Sequence, residues 1–444
     1  MEPLSRRQAI GTAVGAAALL GNGGAAQAAT TAARRDAGRP LIDYLRANGD
    51  KLLRPAQGLF RHPSIAVALP SKQYATELWD WDTMWTARGL MALARVTNDT
   101  AFGGRVADHA KGSLRNILAH QSADGRLPIV MASTDKDGNR FPFTAPDRNQ
   151  AKPVMAQLAL LASEQSGDVA WCAPLFDGLM RFHDSWYAHN LNKSGLLVWS
   201  NDVAIGNDND PTTFGRPPFS SANLLLNCLF HQDLQAAATL AERLDRPAAD
   251  RQKLAARIDR LGAAILDQCW DDRDAFFYTV DVQCVDRRAE LITNVERGMD
   301  MAWSTIPLRI QQFTGFLPMW CGLATKDQAG AMIARNWLAD DRLRAAHGVR
   351  TLSNRERMYG TGFSSNPSNW LGPIWIISNY FAWKALSRYG YAREADELAD
   401  KTIALLTASL KADGSLNEYY HPDTGAPLSH KGFMNWNLLA LEML

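Results

Sequence analysis

Apolar residues recur at three- and four-residue spacing over 40–53, 82–97, 101–119, 153–166, 172–187, 219–241, 246–268, 326–338, 374–388, 392–410 and 432–443, the period of a helix with one buried face. The stretch 292–323 adds a less regular helical segment, and strand-like alternation is confined to short pieces such as Phe276 to Val282. From residue 39 to residue 444 no Gly/Ser or Pro-rich linker and no long charge block interrupts the pattern. The expectation is one all-α domain of about a dozen helices: a bundle, a solenoid or a toroid of helical hairpins. A solenoid would repeat at a fixed period, and no such repeat is present. Long loops fall on alternate turns, at 120–150, 190–218, 342–370 and 411–431, and collect Trp, Asp, Asn, Gly and Pro. Long loops on a rigid scaffold are where chemistry usually sits.

The front of the chain reads differently. Ser5-Arg6-Arg7, a weakly apolar run from Ala9 to Leu20 and a small-x-small site at Ala26-Gln27-Ala28 make residues 1–28 an expected export signal. The paired arginines favour the twin-arginine type over an ordinary secretory signal, and either sends the protein to the periplasm or outside the cell. Residues 29–38 are then expected to be a mobile leader. With 47 basic against 46 acidic side chains, the chain offers no basic field for nucleic acid and no polybasic patch for a membrane surface. Cys172, Cys228, Cys269, Cys284 and Cys321 have no C-x-x-C spacing. Cys269 and Cys284 flank one loop and could bridge, but buried free thiols fit the pattern better.

Tryptophan is over-represented, 14 against 10 Tyr, which suits a cleft that stacks on sugar rings as well as it suits a core. Four segments concentrate it beside carboxylates and amides. Glu77-Leu78-Trp79-Asp80-Trp81-Asp82-Thr83-Met84-Trp85 opens a helix; either aspartate would serve as an N-cap, yet capping does not explain three tryptophans and two aspartates in seven positions. Trp199-Ser200-Asn201-Asp202 leads into Gly206-Asn207-Asp208-Asn209-Asp210-Pro211, which reads as a catalytic carboxylate, a calcium loop or a plain turn. It lacks the frame and distal glutamate of an EF-hand. Asn369-Trp370-Leu371-Gly372-Pro373-Ile374-Trp375 opens another helix, with Gly372 free to let backbone approach a ligand. In Asn417-Glu418-Tyr419-Tyr420, ahead of the Asp423-Thr424-Gly425 turn, Glu418 is a candidate base or a solvated surface acid. Nucleophile-elbow, H-E-x-x-H, Walker and G-x-G-x-x-G patterns are absent, and the nine histidines are scattered singly.

Taken in order, these segments resemble the trehalase-like glycosidases: glycoside hydrolase families 37 and 63 and the mannosylglycerate and glucosylglycerate hydrolases close to them. The likeness runs from about Leu41 to Leu444. Trp79-Asp80-Trp81-Asp82 matches the family's W-D-x-D block, and Gly125-Arg126-Leu127-Pro128 and Asn149-Gln150-Ala151-Lys152-Pro153 match its next two loops. Gly206 to Pro211 is similar to the G-x-D-N-S-P segment that carries the general acid. Trp370 to Trp375 is similar to W-R-G-P-x-W, and Asn417 to Tyr420 to the block that carries the general base. The resemblance implies an (α/α)6 toroid with its site at one end of the barrel axis. It also implies an inverting hydrolysis with Asp208 as acid and Glu418 as base, acting on a small carbohydrate, most simply an α-glucoside, with no cofactor and no metal. Leu371 stands where the family usually has arginine, and Asp210 where serine is common.

On this reading the sugar stacks on Trp79, Trp199, Trp370 or Trp375 and is held by Asp80, Asp82 and Gln150, with Trp81, Gly206, Gly372 and Tyr419 completing the binding set. Asp208 must stay protonated, helped by burial near Trp199 or by Asp202 or Asp210, while Tyr419 or Tyr420 hydroxyls keep Glu418 ionised. Two rivals remain open: a sugar-binding protein that keeps the tryptophans without turnover, and a lyase or epimerase using Tyr359, His421 or His430.

Overall fold

The computed structural model describes residues 31–72, 74–134, 148–283, 304–362 and 368–444; the export segment 1–28, Cys284 and residues 292–303 of the irregular stretch lie outside them. The helices are α1 (Arg39–Gly49), α2 (Asp80–Thr97), α3 (Thr100–Leu118), α4 (Met155–Ser166), α5 (Phe176–Asn190), α6 (Leu224–Arg243), α7 (Ala248–Cys269), α8 (Leu317–Cys321), α9 (Lys326–Ile333), α10 (Ile376–Arg388) and α11 (Ala392–Asp413), followed by 3₁₀ turns over Trp436–Met443.

Their burial separates them into two rings. Along α7 a single stripe is covered, Leu254, Leu261, Gly262, Ile265 and Cys269, as expected of a helix with water on its other side. In α2, by contrast, every residue of Asp80–Ala87 and Gly89–Ala94 is buried, which requires packing all round. The inner elements close a circle: α2 packs on α4, α4 on α6, α6 on α8, α8 on α10, α10 on the Trp436–Met443 turns, and those turns return to α2. Outside them α3, α7 and α11 lie against α2, α6 and α10, while α1 packs on α2 and α11. This is the (α/α)6 barrel.

Where element boundaries depart from the periodicity, local chemistry gives the reason. The stretch 219–241 becomes helical only at Leu224, because Ser221 and Ala222 pair with Asp281 and Val280 and Asn223 then caps the Leu225 and Leu226 N–H groups. The 172–187 helix begins at Phe176 after a 3₁₀ stretch holding Pro174. At the C-terminus residues 432–435 are not helical. Phe433 bridges Ala68 and the Met434 N–H donates to the Val67 carbonyl, so the helical turns start at Trp436. The 326–338 helix ends in a π turn over Ala334–Leu338.

The leader expected to be mobile is instead helical over 31–37. Arg34 is buried there, bonded to Asp400 at 2.6 Å, Asp396 at 2.7 Å and the Met443 carbonyl at 3.1 Å, and so ties the start of the described chain to its end. Cys172, Cys228, Cys269 and Cys321 are buried free thiols. No helix among the described residues is long and apolar enough to cross a membrane.

One side chain organises the loop before α6. Asp210 is buried, and Oδ1 accepts from the Thr212 N–H (2.8 Å), the Thr212 hydroxyl (2.7 Å) and Gln312 Nε2 (2.8 Å). Its Oδ2 accepts from Asn207 (2.6 Å) and Asn223 (2.7 Å). Five donors thus converge on one carboxylate, joining the loop to the cap of α6 and to the segment before α8. An Asp210→Ala substitution strands those donors in the interior. It is expected to destabilise the fold by about 3 kcal/mol or more, read as a lowered denaturant midpoint.

Candidate active site

The segments that open the inner elements meet around one cavity. Trp79, Trp81 and Asp82 reach it from the start of α2, Lys152 from the loop before α4, and Ala204, Gly206 and Asp208 from the loop before α6. Ser368 and Trp375 come from the turn before α10; Glu418, Phe433 and Trp436 come from the C-terminal segment, and Tyr74 completes the wall. A chain separation of more than 200 residues between Asp208 and Glu418 is therefore closed by the barrel itself. The site lies where inner helices begin, so their free N–H groups and positive dipole ends face it.

Among the described lining residues, three carboxylates, Asp82, Asp208 and Glu418, share this space with one cation, Lys152. Burial raises Asp208 to a pKa of about 6; Lys152 opposes the rise, Glu418 adds to it, and bonds from the Gly206 N–H and the Ser368 hydroxyl moderate it. The neighbouring carboxylate that matters is thus Glu418. Asp202 accepts the Gly215 N–H instead, and Asp210 is the loop hub described above. Glu418 is also pushed up by burial and pulled back by His430, whose Nδ1 bonds its Oε2. The tyrosine hydroxyls expected to support it do other work: Tyr420 receives the Asn417 N–H at 3.0 Å and donates to Asn437 at 3.2 Å, and Tyr419 hydrogen-bonds Ser429. Asp82 lies well above the usual carboxylate range because it is buried beside Asp80 and Glu418; Asn435 donates to it at 2.8 Å.

Other residues expected to touch the sugar are held behind the wall. Asp80 is fully buried and accepts from the Trp81 N–H (2.7 Å), the Lys152 N–H (2.7 Å) and Lys152 Nζ (3.0 Å). Gln150 accepts from Ser185 at 3.0 Å and does not line the cavity. Trp199 packs edge-on against Trp186 at 5.7 Å in the core. Trp370 and Tyr419 cover the two faces of Trp375, with ring centroids at 3.8 and 4.9 Å, so Trp375 shows the cavity an edge and no face on which a sugar could stack. Gly372, at φ +143°, makes room for a tyrosine ring and not for a ligand: a Cβ there would stand 2.5 Å from Tyr359. Gly206 does border the cavity, and a Cβ on it would come within 2.8 Å of Trp81 at φ +101°.

Sequence reasoning gave no role to Tyr74, Lys152, Ser368, Phe433 and Trp436, and weighed His430 only for a lyase or epimerase. A signal existed for Lys152, since a lysine between Ala151 and Pro153 ahead of an apolar helix needs a buried anion. Its ammonium bonds Asp80, reaches the Ala204 carbonyl at 3.2 Å and stands 5.6 Å from the Trp81 ring centroid. Trp436 meets Trp81 edge-on at 5.2 Å; the run Lys431 to Asn437 that follows the fourth segment drew attention without any residue in it being assigned a role. For Tyr74 and Ser368 the sequence offers none. As for a cation loop at 206–211, Asp210 is surrounded by N–H and O–H donors, the opposite polarity to a calcium site. No group of three or more His, Cys, Asp or Glu gathers as a metal site among the described residues.

Comparison with known proteins agrees with this architecture. The family described as the mannosylglycerate hydrolase MGH1-like glycoside hydrolase domain matches residues 76–436. Mannosylglycerate hydrolase MGH1 of Selaginella moellendorffii is 24% identical over 406 residues, covering 80% of this chain and 78% of that one. The crystal structure of a GH63 mannosylglycerate hydrolase from Thermus thermophilus in complex with glucose superposes with a TM-score of 0.63 at 19% identity, over 90% of this chain and 98% of that one. Neutral trehalase Nth1 from Saccharomyces cerevisiae gives a TM-score of 0.57 at 16% identity, over 86% and 74% of the two chains. With the family match spanning most of the chain and the barrel shared with its relatives, this protein belongs to the MGH1-like glycoside hydrolases.

Proposed function

We propose that the chain is an inverting exo-glycosidase that cleaves an α-glucosidic bond in a small glucoside or oligosaccharide, with Asp208 as general acid and Glu418 as general base. The observation that carries this reading is that two carboxyls from distant segments face one cavity and differ in their partners. Asp208, held near pKa 6 among neutral donors, gives its proton to the glycosidic oxygen. Glu418, bonded to His430, takes a proton from the water that attacks the anomeric carbon from the other side. The products are a free sugar of inverted configuration and the released alcohol; Asp208 is left ionised and Glu418 protonated, and exchange with solvent resets both. Inversion needs the two carboxyls roughly 6.5–9.5 Å apart to admit that water.

The relatives' names supply candidate substrates: mannosylglycerate, glucosylglycerate and trehalose glycosides. A mannoside is the alternative in the cleaved subsite. Of the side chains named for a lyase or epimerase, Tyr359 packs on Gly372, His421 Nδ1 accepts the Asp423 and Thr424 N–H groups in a turn, and His430 is engaged by Glu418. Export follows from Arg6-Arg7 and the Ala26-Gln27-Ala28 site, and would place the enzyme in the periplasm or outside the cell.

The test is release of sugar from trehalose, kojibiose, nigerose, maltose, glucosylglycerate and mannosylglycerate. Asp208→Asn and Glu418→Gln are each expected to lose roughly 10²-fold or more while remaining folded. Near wild-type hydrolysis in both variants overturns the assignment, and a proton NMR time course showing the retained anomer first overturns inversion.

A second expectation concerns stability. The folded-state pKa of Asp208 is raised from 3.8 to about 6, so the stability linked to its proton is complete below pH 3.8 and lost as pH rises through 6. At pH 8 the ionised carboxylate costs about 3 kcal/mol. Asp208→Asn is therefore expected to melt above wild type at pH 8 by a few degrees, with the difference shrinking towards pH 4, in paired thermal scans.

A further inference from the structure

The general base of this site is held by an unusual clasp. Residues 416–420 and 427–432 pair as a short ladder, with the Glu418 N–H donating to the Ser429 carbonyl at 3.0 Å and the Gly432 N–H to the Leu416 carbonyl at 2.8 Å. That register sets His430 beside Glu418, and the imidazole Nδ1 bonds Oε2. To reach it, His430 adopts φ +43°, in the left-handed region. Its ring packs edge-on against Tyr74 at 5.3 Å, and Tyr74 is itself at φ +67°. Two neighbouring non-glycine residues in left-handed backbone cost free energy, and such strain persists only where the surroundings over-determine it. Both aim rings at the base.

We propose that His430 is the positioning residue of the general base: its Nδ1–H fixes Oε2 of Glu418 so that the other oxygen addresses the attacking water. The inference rests on the reading of Glu418 as base and adds the group that orients it. Carboxylic acids have two oxygens and rotate freely; a water-activating carboxylate must present one lone pair in a set direction, which a single charge-assisted bond achieves.

The charges around the pair are consistent with an imidazolium. On its own segment His430 faces Glu418 and the Ser429 hydroxyl, at 3.1 Å. From the opposite segment it faces Tyr74, whose phenol is raised by burial and by Glu418, Asp82, Asp208 and Glu77. Lys72 lies against Gly432, and Lys431 is taken by Asp413. The Glu418 bond raises His430, and His430 in return lowers Glu418 against the effect of burial. Losing the cation should therefore make the base harder to deprotonate and move the acid limb of kcat/KM to higher pH.

The experiment compares wild type, His430→Asn, His430→Ala and Glu418→Gln. Asparagine tolerates the left-handed backbone and keeps an N–H donor near the position of Nδ1, but carries no charge. On the substrate found for the wild type, His430→Ala is expected to lose roughly tenfold or more in kcat, part of the 10²–10⁴-fold that base assistance supplies, with KM nearly unchanged. His430→Asn should recover part of that loss, and both variants should show the acid limb displaced upward. Wild-type kcat and an unmoved acid limb in both histidine variants overturn the clasp, provided Glu418→Gln is inactive; activity in Glu418→Gln overturns the base itself. A measurement free of turnover runs beside these. The His430 imidazole, assigned by its loss in His430→Asn, should titrate above the ordinary histidine range in wild type and fall back in Glu418→Gln. An identical titration in the two overturns the proposal even if His430→Ala fails to fold.

Discussion

The site depends on the pairing of Asp80 with Lys152. Both are buried, and a carboxylate or an ammonium alone in such a place costs several kcal/mol. Asp80 receives two backbone N–H bonds as well as the ammonium, one from its own helix start and one from Lys152 itself. The pair thus fastens the beginning of α2 to the loop before α4. It also leaves Lys152 on the cavity wall, over Trp81 and within reach of the Ala204 carbonyl. Without that cation, Asp82, Asp208 and Glu418 would face one another with no positive side chain among the described lining residues. Their mutual repulsion would then push Asp82 and Asp208, whose rise Lys152 opposes, still further up.

Rigidity of the aromatic wall follows from the same economy of space. Trp375 is clamped between Trp370 and Tyr419, its Nε1 donates to the Asn369 carbonyl at 2.8 Å, and Trp81 and Trp436 meet its neighbourhood edge-on. Asn209 stitches this stack to the Asp208 loop by accepting the Trp370 N–H at 2.7 Å. The stack and the loop that bears Asp208 therefore move as one body, and that body rests on the five donors gathered by Asp210. Here the departure from the family's serine makes physical sense. A hydroxyl could not receive Asn207, Asn223, Thr212 and Gln312 together, and a carboxylate can.

Much of this was legible in the sequence. Helical periodicity located α2, α3, α6, α7, α10 and α11 because each carries a long apolar stripe or is apolar all round. The Trp-Asp and Gly-Asn-Asp segments drew attention because no structural requirement explains their composition. What the sequence could not separate was the wall from its backing. Trp79 and Trp375 line the cavity while Trp199 and Trp370 support it, and Asp82 lines it while Asp80 does not. Members of each pair have the same chemistry and differ only in which way a helix start or a turn points them. Leu371 illustrates the same limit: it replaces an arginine in the family pattern, yet it is absent from the cavity lining.

The asymmetry between the two proposed catalytic carboxyls is the point on which mechanism and fold meet. Asp208 and Glu418 face the same cavity, and desolvation pushes both upward. Environment alone would make them equivalent. Their partners differ: the Ser368 hydroxyl and a Gly206 amide for Asp208, an imidazole for Glu418. Lys152 acts on Asp208 only through its charge, whereas the imidazole bonds Glu418 directly, so between these two carboxyls the proton belongs on Asp208. A barrel that brings the acid in on the loop before α6 and the base in on the C-terminal ladder can give each its own neighbours. In the proposed reaction that separation, and not any intrinsic property of aspartate or glutamate, is what lets one donate the proton and the other accept it.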